Sequence, residues 1–355
     1  MLGRAERRTR WASSRRAALV LTALSTGERE DVRARVPLRS LCGRREAIVE
    51  GAAVAAALGD IGERMTSPSP GRTVEPMTEL APLIALNDGH QIPALGFGTY
   101  PLRGEEGADA VASAIRTGYR SLDTAFNYDN EGAVGEGIRR SGLAREELFV
   151  TSKLPGRYQG EPTVATVRES LWRLGLEYLD LYLIHWPNPS VGEYVRSWEN
   201  LVTARDLGLV RSIGVSNFTE RHLADVIDAT GVTPAVNQIE MHPYFPQVQQ
   251  RAVNARLGIV TEAWSPLGKG SAPYEEAPVV AAAAAHRVTP AQVILRWHVQ
   301  LGSVPIPKSA TPSRQAENLD VFGFELDDSE MAAVTALGRR DGRLFDGDPD
   351  THEEQ

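Results

Sequence analysis

The chain has 355 residues, a formal net charge of −8 at pH 7 and 42% hydrophobic residues, enough to bury one large core or two modest ones. The negative charge gives no basis for nucleic-acid binding, and no apolar run approaches the roughly 18 residues that span a bilayer. The single cysteine, Cys42, excludes a disulfide framework and a thiolate metal site, so we expect a cytoplasmic protein.

The first 76 residues differ in composition from the rest. They contain 14 Arg, no Lys and 9 acidic residues, a net charge of +5, which leaves −13 for the other 279 residues. Arginine clusters and an alanine tract at 52–57 show little hydrophobic periodicity, which predicts a disordered extension. A second interpretation is that translation begins at Met65 or Met77 and the extension is not native. We therefore assign residues 77–355 to one folded domain.

Beyond this segment the chain alternates between short apolar runs and amphipathic segments. A turn at 87–89, Asn-Asp-Gly, between two apolar runs predicts an N-terminal β-hairpin. Eight strands are then predicted, at 95–100, 119–125, 148–154, 178–186, 210–218, 234–241, 258–265 and 303–309. Helices are predicted at 105–117, 131–140, 162–174, 193–206, 220–229, 246–256, 275–285, 290–300 and 312–319. This alternation predicts a (β/α)8 barrel of the TIM type, an α/β fold in which active sites collect at the carboxyl ends of the strands.

A doubly wound open sheet is the alternative architecture. It usually carries a glycine-rich dinucleotide loop, but the Gly-Phe-Gly run at 96–98 is followed by Pro101 where the third glycine belongs. Asp327 and Glu330 form a capping-box pattern that opens an additional C-terminal helix at 329–337. Because no strand follows this helix, we expect it to pack outside the barrel.

Four polar side chains follow neighbouring predicted strands. Asp123 lies at the carboxyl end of the second strand and Tyr128 just beyond it, Lys153 lies at the end of the third, and His185 lies at the end of the fourth. A phenol has a pKa of about 10, so it donates a proton near neutrality only if a nearby cation stabilises the phenolate. We expect Lys153, paired with Asp123, to be that cation and His185 to orient a bound oxygen. Each residue alone also has a structural interpretation, since a strand-end Asp often caps a helix and a histidine can be a satisfied core residue.

Lysine is rare in this chain. Only Lys153, Lys269 and Lys308 occur among 38 basic residues. In a chain so rich in Arg, a retained Lys is favoured where a compact charge of tunable pKa is needed. The alternative is that these lysines are ordinary surface charges.

Four motifs resemble those of the aldo-keto reductases, and in the family's order. They are GYRSLDTAFNYDNEGAVG at 118–135, LYLIHW at 181–186, GVSNF at 214–218 and IPKS at 306–309. The resemblance covers about residues 82–350 and is nearest to the bacterial branch typified by diketogluconate reductases. It implies that Asp123, Tyr128, Lys153 and His185 form a catalytic tetrad with Tyr128 as general acid.

The resemblance also implies a nicotinamide cofactor and the residues that hold it. The residues matched to the nicotinamide end are Thr99, Tyr100, Ser216, Asn217, Gln238 and Trp264. Those matched to the pyrophosphate are Ser265, Leu267 and Lys269, and those matched to the adenosine 2′-phosphate and adenine are Lys308, Ser309, Arg314, Glu317 and Asn318. The family more often has Tyr at position 264, and an indole there keeps stacking while losing a phenolic hydroxyl.

The 2′-phosphate assignment also follows from the residues themselves. Lys308 ends the eighth strand, and Arg314 lies in the first turns of the next predicted helix, whose N-terminus favours anions. A forked guanidinium suits a phosphate, which predicts NADPH in preference to NADH. The alternative is that Arg314 is an exposed helix residue with a solvated charge.

The predicted function is therefore NADPH-dependent reduction of an aldehyde or ketone. The substrate pocket is predicted to be lined by Tyr100, Phe126, His185, Trp186 and the tail near 344–345, with a small-molecule carbonyl compound as the partner. A non-catalytic cofactor sensor or a structural protein of the same fold is the alternative function, against which the intact tetrad argues. No three-ligand motif predicts a metal, no membrane or nucleic-acid partner is expected, and we expect a monomer.

Overall fold

The structure is a computed structural model that describes residues 80–271, 273–345 and 347–354. A two-stranded hairpin comes first, formed by β1 (Leu83–Ala85) and β2 (Gln91–Pro93). Eight further strands follow: β3 Phe97–Gly98, β4 Ser121–Asp123, β5 Phe149–Leu154, β6 Leu179–Ile184, β7 Val210–Ser216, β8 Val236–Glu240, β9 Val260–Trp264 and β10 Val304–Pro305. The helices in the described residues are α1 Gly104–Thr117, α2 Glu131–Ser141, α3 Thr163–Leu174, α4 Tyr194–Asp206, α5 Glu220–Thr230, α6 Val248–Arg256, α7 Ala277–His286, α8 Pro290–Gln300, α9 Pro312–Leu319 and α10 Asp328–Thr335.

Strands β3 to β10 form one parallel sheet in chain order, and each strand pairs with the next along the sequence. Two backbone hydrogen bonds join its first and last strands, from Gly96 N to Pro305 O at 3.0 Å and from Gly98 N to Pro307 O at 3.1 Å. The sheet is thereby closed, and the predicted (β/α)8 barrel is confirmed.

The hairpin covers the bottom of the barrel. Gly89, at φ +90°, supplies the turn conformation that residues with a side chain rarely adopt. Leu86 and Ile92 are buried in a cluster with barrel-interior side chains, among them Leu181 and Val304. This end of the barrel is therefore sealed by apolar contacts, which leaves the carboxyl ends of the strands as the open mouth.

The final helix packs on the outside of the barrel, as predicted. Asp327 Oδ1 accepts from Glu330 N at 2.8 Å and Asp327 N donates to Glu330 Oε2 at 2.9 Å, so the capping box opens α10. The indole of Trp297 on α8 donates to Thr335 Oγ1 of α10 at 2.9 Å. This partly buried bond joins the last helix to the barrel wall.

The structure adjusts the predicted length of two strands. The first and last barrel strands extend over two residues each, because the polar and proline-containing segments beside them leave the sheet early. The predicted domain boundary at residue 76 lies outside the described residues. Within the described ranges, every helix is too short or too polar to cross a membrane.

Candidate active site

A buried ion pair lies at the mouth of the barrel. Asp123 is the last residue of β4 and Lys153 the fifth residue of β5, so neighbouring parallel strands bring the two side chains together. Lys153 Nζ lies 2.6 Å from Asp123 Oδ1 and also donates to Thr124 O at 2.9 Å. Burial alone would lower the pKa of Lys153. The interactions with Asp123 and Tyr128 are together larger than this effect, so the pKa of Lys153 is raised. Lys153 therefore keeps its positive charge inside the barrel.

The hydroxyl of Tyr128 lies above this pair. A single 3₁₀ turn, Phe126–Tyr128, follows β4 and places the phenol 3.5 Å from Lys153 Nζ. Burial raises the pKa of Tyr128 to about 12, while Lys153 acts in the opposite direction. From the sequence we expected the charge of Lys153 to lower the pKa of Tyr128 below its usual value. The structure corrects this expectation, because burial is the larger effect and raises the pKa. The phenol is thus fully protonated at neutral pH.

His185 follows β6 and faces the same cavity. Its ring meets the Tyr128 ring edge-on, with centroids 5.8 Å apart. Its buried Nδ1 atom lies 2.6 Å from Glu354 Oε1, a contact that is an ion pair only when the ring is protonated. Trp186, the next residue, packs against the ring of His352 at 4.2 Å. The tail of the described chain therefore reaches the polar residues at the barrel mouth.

A second buried carboxylate extends the network. Gln238 Nε2 donates to Asp123 Oδ2 at 2.7 Å and to Glu262 Oε2 at 2.6 Å, which occupies both of its hydrogens. Glu262 is fully buried, and its Oε1 has no partner among the described residues. Burial, reinforced by Asp123, raises the pKa of Glu262 to about 8. Glu262 is therefore largely protonated at pH 7.

Asp123, Tyr128, His185 and Gln238 border a cavity of about 660 Å³. The predicted residues that line it are Thr99, Tyr100, Asp123, Tyr128, His185, Trp186, Asn217, Gln238, Trp264, Ser265, Leu267, Lys269 and Lys308. Residues that were not predicted from the sequence also contribute to its wall, namely Gly98, Pro266, Gly270, Tyr274, Ile306 and Pro307. Phe345 of the tail lines it as well, its ring stacked on Trp264 with centroids 5.6 Å apart.

The middle of the cavity is held in shape by Asn217. Its Oδ1 accepts from the indole Nε1 of Trp264 at 2.9 Å, and its Nδ2 donates to His185 O at 3.0 Å and Ser216 Oγ at 3.0 Å. The indole thus retains a hydrogen bond in place of a phenolic one. Ser216 itself is buried and donates to the Gln238 carbonyl at 2.9 Å.

The loop after β9 bends back on itself beside the cavity. Ser265, Gly268 and Lys269 all have positive φ, and Gly268 N donates to Ser265 O at 2.9 Å. Turns that combine right-handed and left-handed backbone conformations direct successive backbone N–H groups toward a common point and bind anions. The loop is therefore chemically suited to a phosphate group.

Two exposed cations lie near the far end of the cavity. Lys308 follows β10 and Arg314 lies in the first turn of α9, and no carboxylate of the described chain is within ion-pair distance of either. Ser309 is buried and its Oγ accepts from Thr311 N at 3.0 Å, which shapes the turn before α9. Asn318 is buried, and Glu317 Oε1 accepts from Thr289 Oγ1 at 2.7 Å.

Several residues considered in the sequence analysis lie outside the cavity wall. Lys153 and Ser216 stand behind it, and Ser309, Arg314, Glu317 and Asn318 lie beyond its far end. The ring of Phe126 is buried against Tyr158 at 5.3 Å and beneath the guanidinium of Arg173 at 3.8 Å, away from the cavity. Glu262 could have been noticed, because the pattern of β9 puts it on the same face as Trp264 two residues on. Nothing in the sequence pattern pointed to Glu354.

Fold and site together define a class of protein, and comparison with known sequences identifies the same class. The model described as the aldo/keto reductase family matches residues 94–339. The chain belongs to this family. Among the described residues no three His, Cys, Asp or Glu side chains gather as a metal site.

The relatives are bacterial and animal reductases. A 2,5-diketo-D-gluconic acid reductase B from Corynebacterium sp. (strain SHS752001) is 57% identical over 274 residues, covering 77% of this chain and 98% of the relative. The crystal structure of a Gox0644 D53A mutant in complex with NADPH is 45% identical, with a TM-score of 0.73 and coverage of 77% and 99%. A Bombyx mori aldo-keto reductase in complex with NADP is 37% identical, with a TM-score of 0.70 and coverage of 75% and 95%.

Proposed function

We propose that this protein reduces an aldehyde or ketone to an alcohol with NADPH, and that Tyr128 protonates the carbonyl oxygen. The observation that carries the proposal is that Lys153 Nζ lies 2.6 Å from Asp123 and 3.5 Å from the hydroxyl of Tyr128, and that Asp123 and Tyr128 both line the cavity. A phenol beside a buried, permanently charged ammonium is a proton donor whose phenolate is stabilised as it forms.

The protonation state of Tyr128 supports its role as the acid. A pKa of about 12 keeps the hydroxyl protonated throughout the neutral range. The oxygen of the carbonyl compound becomes strongly basic as it acquires negative charge, so transfer of the proton from the phenol is favourable. Lys153 contributes by lowering the pKa that burial alone would impose, and Asp123 with Gln238 holds Lys153 in place. Tyr128, Lys153, Asp123 and Gln238 therefore act as one unit.

The residues present suit a phosphorylated nicotinamide cofactor. The cavity is bordered by the loop at 265–269, where three residues have positive φ, and by Lys308, with Arg314 beyond it. When bound, NADPH supplies the hydride. Asn217 and Gln238 would hold its carboxamide, Lys308 and Arg314 its 2′-phosphate. Solved relatives contain NADPH or NADP, which favours the same cofactor here.

The substrate belongs to the class of small carbonyl compounds. Tyr100, His185 and Trp186 line the part of the cavity beside Tyr128 and offer one polar and two aromatic surfaces. The relative named as a diketogluconic acid reductase favours polyhydroxylated keto acids among the candidates. NADPH and the single cysteine also favour a cytoplasmic location.

The loss of NADPH absorbance tests this function directly. Purified protein is mixed with NADPH and a panel that contains simple aldehydes, aldoses and keto acids. We expect turnover on at least one reactive aldehyde, with NADPH used in preference to NADH. Tight cofactor binding without turnover on any member of the panel would instead favour the non-catalytic sensor.

A further inference from the structure

The segment 347–354 ends at the catalytic tetrad. Asn188 Nδ2 donates to Glu354 O at 2.6 Å, and Glu354 N donates to Asn188 Oδ1 at 3.1 Å. The Asn188 side chain thus forms hydrogen bonds with both backbone polar groups of Glu354. Ser190 N adds a bond to Glu353 Oε1 at 2.8 Å. Asn188 is buried and has φ +47°, an uncommon conformation for a residue other than glycine. The loop after β6 is therefore shaped to hold this segment.

The side chain of Glu354 is held just as closely. Its Oε1 accepts from Asn127 Nδ2 at 2.8 Å and its Oε2 from Gly156 N at 3.0 Å. A side chain at Gly156 would collide with the Glu354 carbonyl oxygen and the Asn188 amide. Glycine at 156 is thus a condition for the docked position of Glu354. The fixed carboxylate directs Oε1 at His185 Nδ1, 2.6 Å away.

This contact decides which proton His185 carries. A carboxylate beside Nδ1 favours a proton on that nitrogen. A neutral imidazole with its proton on Nδ1 has only a lone pair on Nε2, whereas an imidazolium donates from both nitrogens. Because Nδ1 is buried against Glu354, Nε2 is the ring nitrogen available to a molecule in the cavity. A ring that donates from Nε2 must therefore be the cation.

We propose that Glu354 is a positioning residue that holds His185 as an imidazolium, so that Nε2 presents a charge-assisted hydrogen-bond donor to the carbonyl oxygen of the substrate. The inference rests on the proposed function for the identity of that oxygen. The pairing of Glu354 with His185 stands independently of it. The carboxylate suits this role, because His185 and the bonds from Asn127 and Gly156 outweigh burial and lower the pKa of Glu354.

Other titratable and charged groups surround the pair. They are Tyr128, the Lys153–Asp123 ion pair behind it, His352 on the neighbouring Trp186, and Arg157, which donates to Asn127 Oδ1 at 2.5 Å. Glu353 provides a matched control. It is a carboxylate of the same segment that contacts Ser190 N and does not reach His185.

The test follows the imidazole nitrogens of His185 by ¹⁵N nuclear magnetic resonance across a pH titration, with the signal assigned by its loss in His185→Gln. Removal of an opposite charge in contact with an ionisable group shifts its pKa by about one unit or more. We therefore expect His185 to titrate at least about one unit lower in Glu354→Gln. Glu353→Gln should match the wild type. Gly156→Ala, which displaces the segment with Glu354 intact, should reproduce the shift.

Kinetics give the second readout. In Glu354→Gln, kcat/KM on an aldehyde should fall roughly tenfold at pH 8 and by less at pH 6, because a lower pH favours the protonated ring. Identical titration of His185 in the wild type and Glu354→Gln would overturn the proposal, as would an activity loss equal at both pH values. If the wild type reduced no carbonyl compound, the proposed function would fail, whereas the titration would still report on the Glu354–His185 pair.

Discussion

The ammonium of Lys153 and the carboxylate of Asp123 form an ion pair 2.6 Å long in which both side chains are almost completely buried. A buried pair is a poor source of stability in itself, but removal of one partner leaves an uncompensated charge inside the protein. The pair therefore ties the stability of the fold to the residues proposed to act on the substrate.

Replacement of Lys153 by methionine should destabilise the protein. It leaves the Asp123 carboxylate buried with only the Gln238 amide to satisfy it, and breaking such pairs costs about 3–5 kcal/mol. Arg256→Met is the matched control, because its ion pair with Glu220 is exposed and worth about 0–1 kcal/mol. Denaturant unfolding measures both. Equal losses for the two variants would show that Asp123 does not depend on Lys153.

Glu262 makes stability depend on pH. The folded protein holds the proton of this carboxyl up to a pH of about 8, because its pKa is raised by burial, whereas an unfolded glutamate releases its proton near pH 4.3. Unfolding therefore releases a proton between these values, so stability falls as pH rises and the loss is complete above about pH 8.

The Glu262→Gln variant removes this dependence. Gln238 Nε2 can still donate to the new amide oxygen, so the bond of 2.6 Å has a replacement. We compare the thermal midpoint of the variant with that of the wild type at each pH. The midpoint of the variant minus that of the wild type should be larger at pH 9 than at pH 5, by at least about 2 °C. Exposed Glu325→Gln serves as the control and should give the same difference at both pH values. A constant difference for Glu262→Gln would mean that Glu262 is ionised in the folded protein.

Much of the fold and part of the site follow from sequence periodicity. Parallel strands of a barrel end at one mouth, so polar residues at strand ends such as Asp123, Lys153 and His185 are placed together once the strands are recognised. The hairpin and the capping box of α10 follow from local signals, since turn and cap residues act over three or four positions.

The remainder depends on contacts that have no local signal. The Asn188–Glu354 bonds join residues 166 apart, and the segment that carries Glu354 has no periodic pattern. Phe126 turns away from the cavity because the 3₁₀ turn points its ring toward the guanidinium of Arg173. This guanidinium lies on α3, so the position of a helix far along the chain determines where the ring packs. Whether burial or Lys153 controls the pKa of Tyr128 depends on the packing of the whole mouth.

Cofactor preference should depend on Lys308 and Arg314. The double variant Lys308→Met/Arg314→Ala should weaken NADPH binding by about one to two decades for each lost charge-assisted contact, because each is worth roughly 1.5–3 kcal/mol. NADH binding should change little, since NADH lacks the 2′-phosphate. Fluorescence titration with both cofactors measures this. Arg196→Ala, an exposed cation paired with Glu161, is the control. An equal loss for both cofactors would contradict the assignment.

The most direct test of the account is Tyr128→Phe, with cofactor affinity from fluorescence quenching measured beside turnover on a reactive aldehyde. The lost hydroxyl contacts Lys153 and faces the cavity, whereas the proposed anchors of the cofactor are other residues. Loss of an acid–base group costs about 10²–10⁴-fold in rate. We predict a loss in turnover of that size with nearly unchanged NADPH affinity. Retention of more than about a tenth of wild-type turnover would contradict the claim that Tyr128 is the proton donor.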